Sequence, residues 1–157
     1  MKRILLTALS FAFIHAAFGA DSSTPSTAPT ERAANRTGTM KIRLKLQDTE
    51  IAATLVDSKT TRDFVSLLPL TLTMSDLFRR EKFAHLPRAI SEEGKRTHTY
   101  EVGDVAYWSP GRDLAIFYRH DGQKIPKPGL ILIGKIDSGT DALNVPGSVK
   151  VMVELVQ

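Results

Sequence analysis

The sequence predicts a mainly β fold over residues 40–157, a closed barrel of about eight strands with two short helices covering its ends. Three observations predict it. Apolar residues recur at every second position in several short runs, the spacing of half-buried strands. Turn-forming residues separate these runs at short intervals and few stretches have helical spacing, which favours a sandwich or a barrel. The first and last runs are both amphipathic, and neither contains a proline to blunt a sheet edge. Pairing them with each other removes both edges, as barrel closure does.

The elements follow in order. Ile42, Leu44 and Leu46 alternate with Lys41, Arg43 and Lys45, and a turn at Gln47-Asp48-Thr49-Glu50 leads to a second strand over Ile51 to Leu55. Thr60 to Leu68 carries Phe64, Leu67 and Leu68 at helical spacing, with Ser58 or Thr60 as N-cap and Pro69 as the stop. Leu70 to Met74 alternates again, a weaker strand covers Lys82 to Ala84, and Ser91 to Thr99 reads as a long exposed loop. Strands are expected at Asp104 to Trp108 and Leu114 to Tyr118 around the turn Ser109-Pro110-Gly111-Arg112. A polar loop follows over His120 to Pro128, then a buried strand at Leu130 to Ile136 and one helical turn at Asp141 to Leu143. Val149, Val151, Val153 and Leu155 alternate in the last strand.

Residues 1–20 have the layout of a secretory signal: Lys2 and Arg3, an apolar run from Ile4 to Ala17, then small residues around Gly19 and Ala20. The run is shorter than the roughly 20 residues that cross a bilayer. The chain is therefore expected to be exported, periplasmic or secreted, with no stable membrane span after cleavage. It has no cysteine, hence no disulfide framework and no lipid-attachment site. Residues 21–39 are rich in Ser, Thr, Pro and Ala without a large apolar residue, a composition that gives a disordered tether.

Loss of Lys2 and Arg3 lowers the formal charge from +4 to +2, and the remaining basic residues are scattered. The densest groups, Arg79-Arg80-Glu81-Lys82 and Lys124 to Lys127, are interrupted by a carboxylate or prolines and read as a solvated face. A nucleic-acid partner requires a clustered stripe of Lys and Arg, so none is expected.

Five segments carry a family resemblance. Phe64-Val65-Ser66-Leu67-Leu68-Pro69-Leu70-Thr71-Leu72, Leu86-Pro87-Arg88, Gly103 to Pro110, Leu114 to Tyr118 and Ile136-Asp137-Ser138-Gly139 resemble, in that order, the bacterial cyclophilin-like domain family. The stretch from Gly134 to Leu143 is also similar to the late strand-glycine-helix segment of authentic cyclophilins. The resemblance implies an eight-stranded barrel with a helix over each end. It does not imply prolyl isomerisation: the catalytic arginine of true cyclophilins sits in an aromatic-rich strand motif followed by a glutamine- and glycine-rich segment, and neither pattern occurs here. Arg79 and Arg80 follow Phe78 without the surrounding pattern.

The pairs Tyr107-Trp108 and Phe117-Tyr118 each place one ring inside a barrel and one outside, since adjacent strand residues face opposite ways. With Arg88 they are the candidates for a ligand groove; core filling is the plainer role for the rings, and solvated surface for Arg88, Arg112 and Arg119. Asp104 and Asp137 read as turn-formers whose side chains bond local backbone. No serine stands in a nucleophile context, and His85, His98 and His120 lie in separate probable loops without the i,i+4 spacing of a metal site. No metal, and no glycine-rich phosphate loop or other cofactor, is expected. The expected function is a non-catalytic binding module for an unknown peptide or small molecule, the alternative being an enzyme such as a weak prolyl isomerase. A deep groove with a buried arginine facing aromatics would favour the enzyme.

Overall fold

The computed structural model of the protein describes residues 39–156. The leader expected at 1–20, and all but the last residue of the tether expected at 21–39, lie outside the described residues. The nine strands are β1 (Lys41–Leu46), β2 (Thr49–Leu55), β3 (Leu70–Leu77), β4 (Glu81–His85), β5 (Arg96–Thr97), β6 (Asp104–Trp108), β7 (Asp113–Phe117), β8 (Leu130–Ile136) and β9 (Val149–Val156). Hydrogen-bonded neighbours run β2-β1-β9-β3-β4-β7-β6-β8, and β8 pairs back to β2, closing an eight-stranded antiparallel barrel; the two-residue β5 is an extra strand on β8. The first and last long strands do pair, from Lys41 opposite Val156 to Leu46 opposite Val151. Closure is tight where Leu55 meets Gly134. A Cβ on Gly134 would stand 2.6 Å from the carbonyl of Thr54, so a side chain there would push β2 off β8.

Period-two patterning does what it promises in β1, where Ile42, Leu44 and Leu46 are buried and Lys41 and Arg43 exposed. In β9 it fails at the end: Val149, Val151 and Val153 are buried, but Leu155 is exposed. The loop expected at Ser91 to Thr99 contains β5, whose pairing of Arg96 with Ile131 is set by tertiary contact rather than by local apolar content.

The helix α1 spans Lys59–Val65, and the Ser58 side chain caps it by accepting from the Thr61 amide at 3.0 Å. It stops short of the expected Leu68. The second expected helix is a single 3-10 turn, Thr140–Leu143. Phe64 from α1 and Leu143 from the turn are both fully buried in the core that fills the barrel. They enter from opposite ends. The helix leads into Leu70 and the turn into Val149, which lie at opposite ends of the β3–β9 ladder. Among the described residues no helix is long and apolar enough to cross a membrane.

Lys82 occupies an inward position on β4, opposite Ile116, and is completely buried. Its ammonium donates to Asp76 Oδ2 at 2.9 Å and to the carbonyls of Val145 and Gly147 at 2.5 and 2.8 Å, using all three protons. The Tyr118 hydroxyl donates to the same Asp76 oxygen at 2.6 Å. Burial pushes the Asp76 carboxyl up, but the hydrogen bonds from Tyr118 and Lys82 outweigh it and leave the group below its ordinary value. Arg80 and Glu81 are buried as well. The charged run at residues 79–82 is therefore not the solvated face its composition suggested. Asp104 accepts from the Glu101 amide, as a local turn-former does. Asp137 instead bonds Lys41 at 2.7 Å and the Thr54 hydroxyl at 2.6 Å, fastening the end of β8 to β1 and β2.

Candidate functional site

Every residue of β7 is buried, which an outer strand of a barrel achieves only if something covers its outward face. A second apolar cluster does so: Tyr100, Ala106, Ala115, Phe117, Ile125 and Leu130, with Phe83 and Trp108 against it. The segment between β7 and β8 crosses this face, anchored where the Ile125 amide donates to the His98 carbonyl at 2.9 Å. Phe83, Ala115 and Ala106 stand abreast on β4, β7 and β6. Two of the three are alanines, so the covering segment meets a shallow place in the floor. The result is a pocket of about 230 Å³ lined by Phe83, Trp108 and Ala115 below, Ile125, Pro126 and Leu130 above, and Leu77, Phe78, Arg80, Glu81 and Asp113 around the rim.

Phe78 is 72% exposed at the lip of this pocket. It lies in the tight turn between β3 and β4, closed by the Arg80 amide on the Leu77 carbonyl. Phe78 and Arg79 both have φ of 54° there. That geometry suits Gly or Asn and is strained for a bulky residue. A strained backbone that holds an apolar ring in water points to a use for the ring.

Arg80 lies with its guanidinium carbon 5.2 Å from the ring centres of Phe78 and Tyr100 and 5.9 Å from that of Phe117. Its Nε donates to Glu81 at 3.3 Å and its Nη1 to Asp121 at 3.5 Å. Burial pushes the Glu81 carboxyl above its ordinary value, and Arg80 only partly offsets this. The Tyr100 hydroxyl donates to Asp121 at 2.5 Å; that bond is the main cause holding the Asp121 carboxyl low.

At the other end of the pocket, Asp113 pairs in register with Trp108 on β6 and with His85 on β4. Its Oδ1 lies 2.5 Å from His85 Nδ1, yet it is buried without a properly angled hydrogen bond. The angle decides the matter: Nδ1 also faces the Gly111 carbonyl at 3.1 Å, and one ring proton cannot serve both. Gly111 is required beside it, because a Cβ there would stand 2.1 Å from Asp113 Oδ2.

Of the five residues expected to form a groove, Trp108 lines this pocket and Phe117 packs in the cluster beneath the same face. Tyr107 and Tyr118 belong to the core inside the barrel, so each aromatic pair divides between the two sides as strand alternation requires. Arg88 stands elsewhere. Its Nη2 bonds Asp63 of α1 and the Ser66 hydroxyl, each at 2.8 Å, and the bond to Arg88 is the main cause holding Asp63 low. Among the described residues no group of three or more His, Cys, Asp or Glu side chains is placed to share a metal ion.

A cyclophilin-like family model matches residues 44–154, which covers the barrel almost end to end. The chain belongs to the cyclophilin-like family. A cyclophilin-like fold of this kind is also similar to the solution structure of the hypothetical protein AF2241 from Archaeoglobus fulgidus. That match has 25% identity and a TM-score of 0.60, over 77% of this chain and 98% of that one. No curated protein sequence matches. Membership brings a fold, and the site is read from its own residues.

Sequence reasoning missed Phe78, Arg80, Glu81, Phe83 and Asp113. The available signal was the run from Phe78 to Ala84, in which four consecutive charged residues stand between two phenylalanines and no alternating apolar face appears. A strand covered on both sides gives such a run no solvated side.

Proposed function

We propose that the chain is an exported, non-catalytic binding module and that the pocket on the outer face of β4, β7 and β6 is its ligand site. The observation that carries this reading is the pairing of an apolar pocket of about 230 Å³ with Phe78, exposed and strained at its lip. Small-molecule sites are concave and mostly apolar with a few placed polar groups, and the lining has that make-up. The size suits one small molecule or one side chain of a peptide. The leader-like residues 1–20 support export.

The test is a ligand screen on the full chain. Trp108 is the only tryptophan, so its indole N–H gives one assignable signal at the pocket floor. Ligands found this way should lose affinity in Trp108→Ala and in Ala115→Met, which fills the floor, while both variants stay folded. Binding that survives both changes places the site elsewhere.

One observation favours the enzyme reading: Arg80 is buried, lines the pocket and faces aromatic rings. An isomerase must supply donors to a twisted amide against a barrier of about 20 kcal/mol, and two of the Arg80 nitrogens already serve Glu81 and Asp121. A proline-peptide isomerisation assay separates the readings. Acceleration that disappears in Arg80→Lys establishes catalysis; no acceleration leaves the binding module.

A further inference from the structure

The pocket has an excess of negative charge and an end at which that charge is unmatched. Around its rim and just behind it stand three carboxyl groups, Glu81, Asp113 and Asp121, against the single guanidinium of Arg80. Arg80 is taken up at one end, between Glu81 and Asp121. Asp113 stands at the other end, and the 3.3 Å rise per strand residue puts it four positions along the ladder from the level of Glu81. It is 9% exposed, and its Oδ1 is buried with no hydrogen-bond partner. A buried carboxyl oxygen without a well-formed hydrogen bond is costly. The one cation that the described chain offers it is His85, whose Nδ1 lies 2.5 Å from Oδ1 but is badly angled, on a ring that is 71% exposed and shared with the Gly111 carbonyl.

Trp108 is the cross-strand partner of Asp113. A carboxylate beside an indole is the combination that holds an organic ammonium, by charge on one side and by cation–π attraction on the other. From that corner the apolar floor of Ala115 and Phe83 leads away toward Glu81. Burial pushes the Glu81 carboxyl up, and the charges of Asp121 and Asp113 add to it in smaller measure.

We propose that the pocket takes a small apolar amine, its ammonium at Asp113 against Trp108 and its hydrocarbon part along Ala115 and Phe83 under Ile125. This rests on the pocket being a ligand site and adds the charge of the ligand. Size favours a small molecule over an extended peptide, because this concavity holds only about 230 Å³.

The probes are 2-phenylethylamine, 2-phenylethanol and phenylacetate, which share a ring and differ in charge. They are titrated into the full chain while the Trp108 indole N–H signal is followed by NMR. The amine should bind at least about tenfold more tightly than the alcohol, the size of one charge-assisted contact, and phenylacetate more weakly than either. Asp113→Asn keeps the shape of the side chain and should bring amine and alcohol within about twofold of each other, leaving the alcohol unchanged. Should that variant fail to fold, the wild-type series still decides. If the alcohol or phenylacetate binds as tightly as the amine, the charge assignment is wrong and the pocket reading stands. If none of the three moves the indole signal, both fall.

Discussion

Replacing Lys82 by Met keeps a chain of similar length inside the barrel and deletes the ammonium. Lys82 is fully buried, and its three protons go to Asp76, Val145 and Gly147 at 2.5–2.9 Å. Removing one member of a buried charge pair costs about 3–5 kcal/mol, because the other is left uncompensated. The lower end applies here: the Asp76 side chain keeps 19% exposure and still receives the Tyr118 hydroxyl, while Val145 and Gly147 are exposed and can turn their carbonyls to water. The expected loss is about 3 kcal/mol, or about 12 °C in Tm at about 4 °C per kcal/mol for a domain of this size. Urea unfolding followed by Trp108 fluorescence measures it. The double variant Lys82→Met/Asp76→Asn should recover at least about 1 kcal/mol, since the two residues are in direct contact. A loss under about 1 kcal/mol for Lys82→Met, with no coupling to Asp76, would refute the description of this cage as a buried charge pair.

Tyr118 and Phe78 each give a further measurable outcome. Burial, then the hydrogen bond to Asp76, pushes the Tyr118 hydroxyl up to about 12; with the ordinary value near 10, the stability it contributes is complete below about pH 10 and is lost as pH rises toward about 12. Urea midpoints should therefore fall more steeply across that window in wild type than in Tyr118→Phe, and equal slopes would contradict the hydrogen bond. Phe78→Gly relieves a left-handed backbone and gives up a stacking contact with Arg80, so its stability should stay within about 1 kcal/mol of wild type or exceed it. Its ligand affinity should drop; a loss of more than about 2 kcal/mol in stability would make the ring structural instead.

The barrel was legible because its inner face obeys one rule. Ile42, Leu44, Leu46, Val149, Val151 and Val153 sit at every second position, and the two terminal strands they mark are the ones that pair. The cap at Ser58 was legible for a local reason, a short oxygen within reach of an amide three residues on. What was not legible depends on residues far apart in sequence. The strand at Arg96–Thr97 exists because β8 offers it an edge. Lys82 is buried because Asp76 and two carbonyls more than sixty residues away meet it, and no periodicity records that. The pocket suffered most. The aromatic pairs showed that two rings point outward, but which outer surface is covered depends on the path of residues 118–129 across it.

That path also explains why the pocket lies on the outside of the barrel rather than within it. The interior is filled: Tyr107, Phe64, Ile116, Ile131 and Leu143 are fully or almost fully buried in it, and close packing leaves no room there for a ligand. The outer face of β4, β7 and β6 obeys no such demand, because its cover is a crossing segment and not a second sheet. Over Ala115 the cover leaves the pocket open. Filling that space with a larger side chain at position 115 would add buried apolar area at about 25 cal/mol per Å², yet the chain keeps an alanine there and holds Phe78 in a strained turn beside it. Two departures from the most stable arrangement, side by side around one pocket and next to a carboxyl oxygen without a well-angled hydrogen bond, support the proposed ligand site.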